Sequence, residues 1–189
     1  MPSLHFLLVF IVLFCRVLLC SSSGTAQEQP YDAELVKSLV AESLEKGNPG
    51  RGAVVYSAPT SACLSCHKVG DHGGAVGPDL SEVGKKQKLS HIVESLLWPQ
   101  RVVVDEYKAI AVLNLDGQVF RGYQVSESDS KLVIRDSATG KTISINQEDI
   151  EAVQSVGSLM PAGLLATLSL QDKHDLISFL ADLGKHEKL

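Results

Sequence analysis

The chain has 189 residues, a formal net charge of −5 and 44% hydrophobic residues. The length suits one domain that carries an insertion, and the apolar content argues against wholesale disorder. The negative charge makes nucleic acid and anionic membrane surfaces poor partners. Aromatic residues make up only 5% of the chain, with a single tryptophan, so few large side chains are present to fill a core.

Residues 1–26 predict an export signal that is not part of the fold. The segment from Leu4 to Cys20 is almost wholly apolar, and the small residues from Ser21 to Ala26 follow it, which is the order typical of a secretory signal. We therefore expect the protein in the periplasm or another extracytoplasmic compartment. An uncleaved membrane anchor and lipidation of Cys20 are the alternatives.

Residues 27–47 form an N-terminal extension with a predicted amphipathic helix from Asp32 to Lys46. Its apolar side chains fall near one helical face and are Leu35, Val36, Leu39, Val40 and Leu44. Gly47 ends this helix, and Asn48-Pro49 is the cap-then-proline start of a second, short helix.

Two further helices are predicted later in the chain. Residues 89–98 return to helical spacing, with Ser90 as the N-cap. Ser169 and Asp172 form a capping-box pattern before a final helix, which Gly184 closes. The apolar face of that final helix consists of Leu176, Ile177, Phe179, Leu180 and Leu183.

The intervening residues 104–155 contain β-branched runs punctuated by turns. Asp116-Gly117 is a hairpin signal between the first two runs. Strands are predicted over residues 108–114, 118–125, 131–136, 141–146 and 149–156. The pattern therefore predicts a small antiparallel sheet, or a compact barrel, inserted between helices.

The pentapeptide Cys63-Leu64-Ser65-Cys66-His67 has the spacing of covalent haem attachment. Two thiols with two residues between them can form thioether bonds to two vinyl groups of one planar ring, and the following histidine is placed to ligate the iron. The two other cysteines of the chain fall in the export signal. A disulfide and a zinc site are the alternatives, although structural zinc needs four ligands. We predict one covalently bound haem c, with His67 as an iron ligand.

Met160 is the favoured second iron ligand, because it is the only methionine besides Met1. A thioether ligand favours reduced iron, and Pro161 stiffens the loop that must hold the sulfur. The alternative is that Met160 packs in a core. The competing ligands are His72, His91, His174 and His186. We expect all four at solvated positions, in a glycine-rich loop, on two helices and in a charged tail.

Taken together, these residues resemble class I cytochrome c. The shared features lie within residues 48–103 and 156–185 and are the Cys63–His67 motif, Gly77-Pro78-Asp79-Leu80, Met160-Pro161 and a final helix with Phe179. The resemblance implies that the Pro78 carbonyl accepts a hydrogen bond from His67. It also implies that Gly52 and Tyr56 contact Phe179 where the first and last helices of the domain cross.

The chain departs from compact members of that family in the long separation between His67 and Met160. Residues 104–155 account for the excess. In this respect the chain is similar to a group of haem-binding domains that carry a β insertion before Ser-Leu-Met-Pro, often at the end of larger secreted, dehydrogenase-like proteins.

We therefore expect a mainly α cytochrome c fold over residues 48–103 and 156–185, with residues 104–155 inserted as a small antiparallel sheet or barrel. The expected function is single-electron transfer between exported redox partners, such as a dehydrogenase or a terminal acceptor. The alternative is a haem-containing binding or sensing module whose insertion recognises a partner or ligand. Acidic pairs such as Glu148-Asp149 make no convincing catalytic set, so no enzyme activity is predicted.

Overall fold

The computed structural model describes residues 30–185. The predicted export signal over residues 1–26 and the tail histidine His186 lie outside the described residues. Between residues 30 and 185, no helix combines the length and the apolar character that crossing a membrane requires.

Two helices at the start of the described chain begin at side-chain caps, of which the sequence predicts the Asn48 cap but not the Asp32 cap. Helix α1 spans Ala33–Lys46, and the Asp32 carboxylate accepts hydrogen bonds from two backbone N–H groups of its first turn at 2.9 and 3.0 Å. Helix α2 spans Pro49–Ser57, and Asn48 Oδ1 accepts from the backbone N–H of Arg51 at 2.9 Å. These bonds satisfy N–H groups that have no partner within the helix, which fixes where each helix begins.

The remaining helices are α3 (Cys63–Cys66), α4 (Val83–Lys86), α5 (Leu89–Leu97) and α6 (Leu170–Asp182), with short 3-10 turns over Asp105–Tyr107, Gln147–Asp149 and Leu164–Thr167. Ser169 Oγ accepts from the backbone N–H of Asp172 at 3.1 Å, which confirms the predicted start of α6. The prediction that Ser90 is an N-cap is wrong. Helix α5 begins at Leu89 with no side-chain cap, so Ser90 lies inside its first turn.

Five antiparallel strands form one open sheet between α5 and α6. They are β1 (Ala109–Asn114), β2 (Val119–Glu127), β3 (Lys131–Asp136), β4 (Thr142–Asn146) and β5 (Ile150–Gly157). Their spatial order is β4-β3-β2-β1-β5, so β4 and β5 are edges and the barrel alternative is wrong. The predicted Asp116-Gly117 turn joins β1 to β2, and Gly117 has a φ of +79°, a value that glycine adopts without steric cost.

The expected mainly α fold is wrong, because the chain has a mixed α/β fold. Among the described residues, helix accounts for 40% and strand for 23%, with six helices beside the five-stranded antiparallel sheet. The physical reason is that the sheet has a hydrophobic core of its own, formed by Val112, Leu132, Ile134 and Ile145. Leu132 and Ile134 alternate with more exposed neighbours along β3, as expected for a strand with one buried face.

Helices α2 and α6 cross at Gly52. A Cβ atom at Gly52 would overlap the carbonyl of Asp175 and would lie 2.6 Å from Cβ of Phe179, so only glycine allows the two backbones to approach this closely. The rings of Tyr56 and Phe179 pack beside the crossing, with centroids 5.4 Å apart. The expected contact of Gly52 and Tyr56 with Phe179 is therefore present.

The helical core gathers apolar side chains from α1, α2, α5 and α6. Its buried members are Val36, Leu39, Tyr56, Ile92, Val93, Leu96, Trp98, Leu165, Leu176, Ile177 and Leu180. His174 on α6 is buried as well, with 2% of its surface exposed, and its Nε2 lies 3.6 Å from the Glu42 carboxylate of α1. The expectation that His174 is solvated is wrong, because α1 as well as α2 packs against α6.

Candidate haem-attachment site

Helix α3 is a single turn that carries both cysteines of the motif. Ala62 precedes it with a φ of +55°, a left-handed conformation that is uncommon outside glycine. His67 closes the turn by donating its backbone N–H to the carbonyl of Cys63 at 2.9 Å. Among the described residues, Cys63 and Cys66 are free thiols. Two unbridged thiols one helical turn apart suit a pair of thioether bonds to a single ring.

The His67 ring is oriented by a hydrogen bond at Nδ1. This nitrogen lies 2.9 Å from the carbonyl oxygen of Pro78, and since a carbonyl only accepts, Nδ1 carries the proton. Nε2 is then the nitrogen that offers a lone pair to a metal. Burial lowers the pKa of His67, while the hydrogen bond to Pro78 acts in the opposite direction. The net direction favours the neutral imidazole, which is the form that ligates metals.

A glycine-rich loop wraps around the cysteine turn and brings Pro78 to His67. The Gly74 N–H donates to the carbonyl of Leu64 at 2.9 Å, and the Gly77 N–H donates to the carbonyl of Cys66 at 2.8 Å. A Cβ atom at Gly77 would lie 2.6 Å from Nδ1 of His67. Only glycine therefore lets the loop pass against the imidazole, and the loop forms a cradle that holds the ring in one orientation.

Met160 lies half-buried against the helical core, and Cys63 and Leu64 of the cysteine turn pack against the same core. Its backbone N–H donates to Ser158 Oγ at 3.1 Å. The structure thus brings Met160 and the cysteine turn, which are far apart in the chain, to one cluster of apolar side chains. The alternative role for Met160 is packing in the core, and the observed packing is compatible with either role.

The competing histidines have other surroundings. His72 is exposed and forms an isolated β-bridge with Val69. His91 is half-buried on α5, where its carbonyl accepts from Ser95 Oγ at 2.9 Å. His174 is packed between α1 and α6, as described above. Met160 as the second iron ligand stays a prediction.

Arg135 on β3 connects the inserted sheet to the glycine-rich loop. Its Nη1 donates to the carbonyl of Ala75 at 2.7 Å, and its guanidinium lies 4.8 Å from the centre of the Tyr123 ring. Tyr123 in turn packs edge-on against Tyr107, with ring centroids 5.6 Å apart. Sequence reasoning missed Arg135 as a site residue. No sequence signal could have found it, since its acceptor is a backbone carbonyl 60 residues away.

Three side chains near the cysteine turn, Cys63, Tyr56 and Tyr123, have pKa values shifted towards their neutral forms. Burial raises the pKa of the Cys63 thiol and, more strongly, that of the Tyr56 hydroxyl, which donates to the carbonyl of His67 at 2.8 Å. Burial also raises the pKa of Tyr123, although Arg135 acts against it. Neutral groups around the turn are suited to an apolar ring.

The residues present fit a covalently bound haem. Cys63 and Cys66 supply the two thiols, His67 supplies an oriented imidazole, and Met160 supplies a thioether from the same core. Between residues 30 and 185, no cluster of three or more His, Cys, Asp or Glu side chains is arranged to hold a metal ion by itself.

The chain matches no family model, and no curated protein matches it. The function is therefore inferred from the residues of the site and from their arrangement.

Proposed function

We propose that this chain is an exported c-type cytochrome with one haem, which carries single electrons between redox partners. The observation that carries the proposal is the cysteine turn with two free thiols and an adjacent imidazole whose Nδ1 is engaged by Pro78. Each thiol, Cys63 and Cys66, would add its S–H across one vinyl group. Haem bound in this way supplies a one-electron iron couple.

The two axial side chains favour electron transfer over oxygen or peroxide chemistry. With His67 and Met160 both ligating, the iron keeps no open position for a substrate. The hydrogen bond from His67 to Pro78 fixes ring orientation and increases ligand basicity. The resemblance to class I cytochrome c supports the same assignment, since the Pro78 carbonyl and the Gly52 crossing are the features that it implies.

The attachment is tested by expressing the full chain in an export- and haem-competent host and extracting non-covalent haem from the unfolded protein. We expect the wild type to retain haem and the Cys63→Ala/Cys66→Ala variant to lose it. Ser65→Ala, in the same turn, is the matched control and should retain it. A wild type that yields all of its haem to the extraction contradicts the proposal.

The second ligand is tested by visible spectroscopy of the oxidised protein. A weak far-red sulfur-to-iron band is expected in the wild type and in His72→Ala and His91→Ala, and it should be absent from Met160→Ala. Persistence of the band in Met160→Ala would exclude this residue as the ligand. Absence of the band from the wild type would point to a histidine instead of Met160 as the second ligand.

A second function is favoured by one observation, the contact of the inserted sheet with both ends of the site. Arg135 bonds the loop that carries Pro78, and β5 leads directly into the segment that carries Met160. A partner or ligand on the sheet could then release Met160 and make the protein a haem-based sensor. Carbon monoxide titration of the reduced protein distinguishes the two: rapid binding at neutral pH favours a sensor, and none favours electron transfer.

The partner proposed for electron exchange is another exported redox protein, such as a dehydrogenase or a terminal acceptor. The negative net charge of −5 suits a partner with a positively charged surface. Fractionation of cells that express the full chain tests the compartment, and the haem-containing form should be found outside the cytoplasm.

A further inference from the structure

The side chain of Gln100, just beyond the end of α5, bonds both backbone groups of Ser158. Gln100 Nε2 donates to the Ser158 carbonyl at 2.8 Å, and Gln100 Oε1 accepts from the Ser158 N–H at 2.9 Å. A side-chain amide offers a donor and an acceptor in one plane, as a peptide group does. Gln100 therefore holds Ser158 as a neighbouring strand would, although the two residues are 58 positions apart.

This pair of bonds closes the base of the insertion. Gln100 precedes β1, and Ser158 follows the last residue of β5, Gly157. Gly157 has a φ of +78°, and a Cβ atom there would lie 2.5 Å from Gln100 Oε1. Glycine is needed at this position both for the left-handed backbone and for the room that the amide occupies.

The bonded Ser158 connects directly to the proposed iron ligand. Ser158 Oγ accepts the backbone N–H of Met160 at 3.1 Å, so one residue links the Gln100 amide to the Met160 backbone. Gln100 itself is exposed, and Met160 is half-buried. The Gln100 amide therefore acts on Met160 through Ser158, from the exposed side of the loop.

From this geometry we infer that Gln100 is the positioning residue that holds Met160 at the iron, an inference that rests on the proposed function. Its two hydrogen bonds keep the loop after β5 in one place and so fix where Met160 would offer its sulfur to the iron. Removing them leaves the cysteine turn and the His67–Pro78 bond intact. The effect is therefore confined to the Met160 side of the site.

The first test compares Gln100→Ala with the wild type in the haem-loaded full chain. Because the variant loses both hydrogen bonds, the loop should be released about tenfold more often or more. We expect carbon monoxide to bind the reduced variant faster by about that factor, and the far-red band of the oxidised variant to be weaker than that of the wild type.

Two further variants separate positioning from a general loss of structure. Gln154→Ala makes the same change at an exposed residue of β5 and should behave as the wild type. Gln100→Glu keeps the acceptor for the Ser158 N–H but loses the donor to the Ser158 carbonyl, so it should fall between the wild type and Gln100→Ala.

A readout without haem completes the experiment. Amide hydrogen exchange of residues 158–160 should be faster in Gln100→Ala than in Gln154→Ala, while exchange in α6 stays the same. The inference is overturned if the wild type shows the far-red band and Gln100→Ala matches it in band, carbon monoxide binding and exchange. A wild type without the band instead contradicts the proposed function, so the two failures are distinguishable.

Discussion

The carbonyl oxygen of Pro78 lies 2.9 Å from Nδ1 of His67, and this contact gives the imidazole its orientation. It is made by a loop that returns to the cysteine turn through two backbone hydrogen bonds and passes the ring at Gly77. The ligand nitrogen Nε2 is therefore aimed by backbone groups, which do not titrate near neutral pH.

Gly77→Ala should disturb this orientation. The new Cβ would lie 2.6 Å from Nδ1 of His67, so the ring or the loop must move and the bond to Pro78 must weaken. Overpacking of this kind costs about 1–3 kcal/mol of folding free energy. We expect a higher reduction potential, because a weaker bond to Pro78 makes His67 a less basic ligand and so disfavours oxidised iron. We also expect lower stability, and the two are measured by spectroelectrochemistry and denaturant unfolding of the haem-loaded chain. An unchanged potential together with unchanged stability would contradict the proposed role of the cradle.

Two glycines of α2 provide a matched pair of substitutions. A Cβ atom at Gly52 would overlap the Asp175 carbonyl, whereas one at Gly50 would meet only Asn48 Oδ1, at 3.3 Å. Gly52→Ala should therefore lower the free energy of unfolding by about 2 kcal/mol or more, because the helices α2 and α6 must separate. Gly50→Ala should leave it within about 0.5 kcal/mol of the wild type. Denaturant unfolding checks both, and equal effects would mean that the crossing is not at Gly52.

Asp175 should make stability depend on pH in the acid range. The Arg51 guanidinium, whose Nε lies 2.6 Å from the carboxylate, together with hydrogen bonds from Asn48 and Gln171, holds the pKa of Asp175 at about 2, below its ordinary 3.8. Because the folded value is the lower one, the carboxylate stabilises the fold fully above the ordinary pKa. That contribution is lost as the pH falls from there through about 2.

The corresponding measurement follows the free energy of unfolding between about pH 5 and about pH 2. The advantage of the wild type over Asp175→Asn should shrink towards the acid end. Asp116→Asn, in the exposed turn between β1 and β2, is the control. A constant difference between the wild type and Asp175→Asn across this range would contradict the assignment.

Arg135→Ala should loosen the glycine-rich loop without unfolding the sheet. The substitution removes the 2.7 Å bond to the exposed Ala75 carbonyl and the contact with the buried Tyr123 ring, so about 1 kcal/mol is at stake. We expect faster amide hydrogen exchange over residues 73–78 and unchanged exchange in β3. Arg121→Ala, at an exposed position of β2, is the control. Equal exchange in both variants would show that the sheet does not restrain the loop.

Local sequence signals predicted most elements well because their causes are local. Caps at Asn48 and Ser169 and the glycine turn at Gly117 are each decided within a few residues of the chain, and each is present. Ser90 failed as a cap because helix α5 begins one residue earlier, at Leu89, so Ser90 lies inside the first turn. His174 failed because helical periodicity does not show how many helices cover one side of α6.

By itself, the sequence determined the chemistry that is available: two thiols and an imidazole in five consecutive residues, and one methionine besides Met1. The spacing of the two cysteines and the histidine along the chain is enough to predict haem attachment. It did not determine the fold class, since the five strands build a core of their own and make the fold mixed rather than mainly helical.

Only the tertiary structure decided how the insertion meets the site. Arg135 reaches Ala75 across 60 residues and Gln100 holds Ser158 across 58. Both bonds end on backbone groups, which every residue has and which no side-chain pattern can announce. The sequence thus supplies the groups proposed to bind haem, and the tertiary structure supplies the contacts that hold the two loops in place.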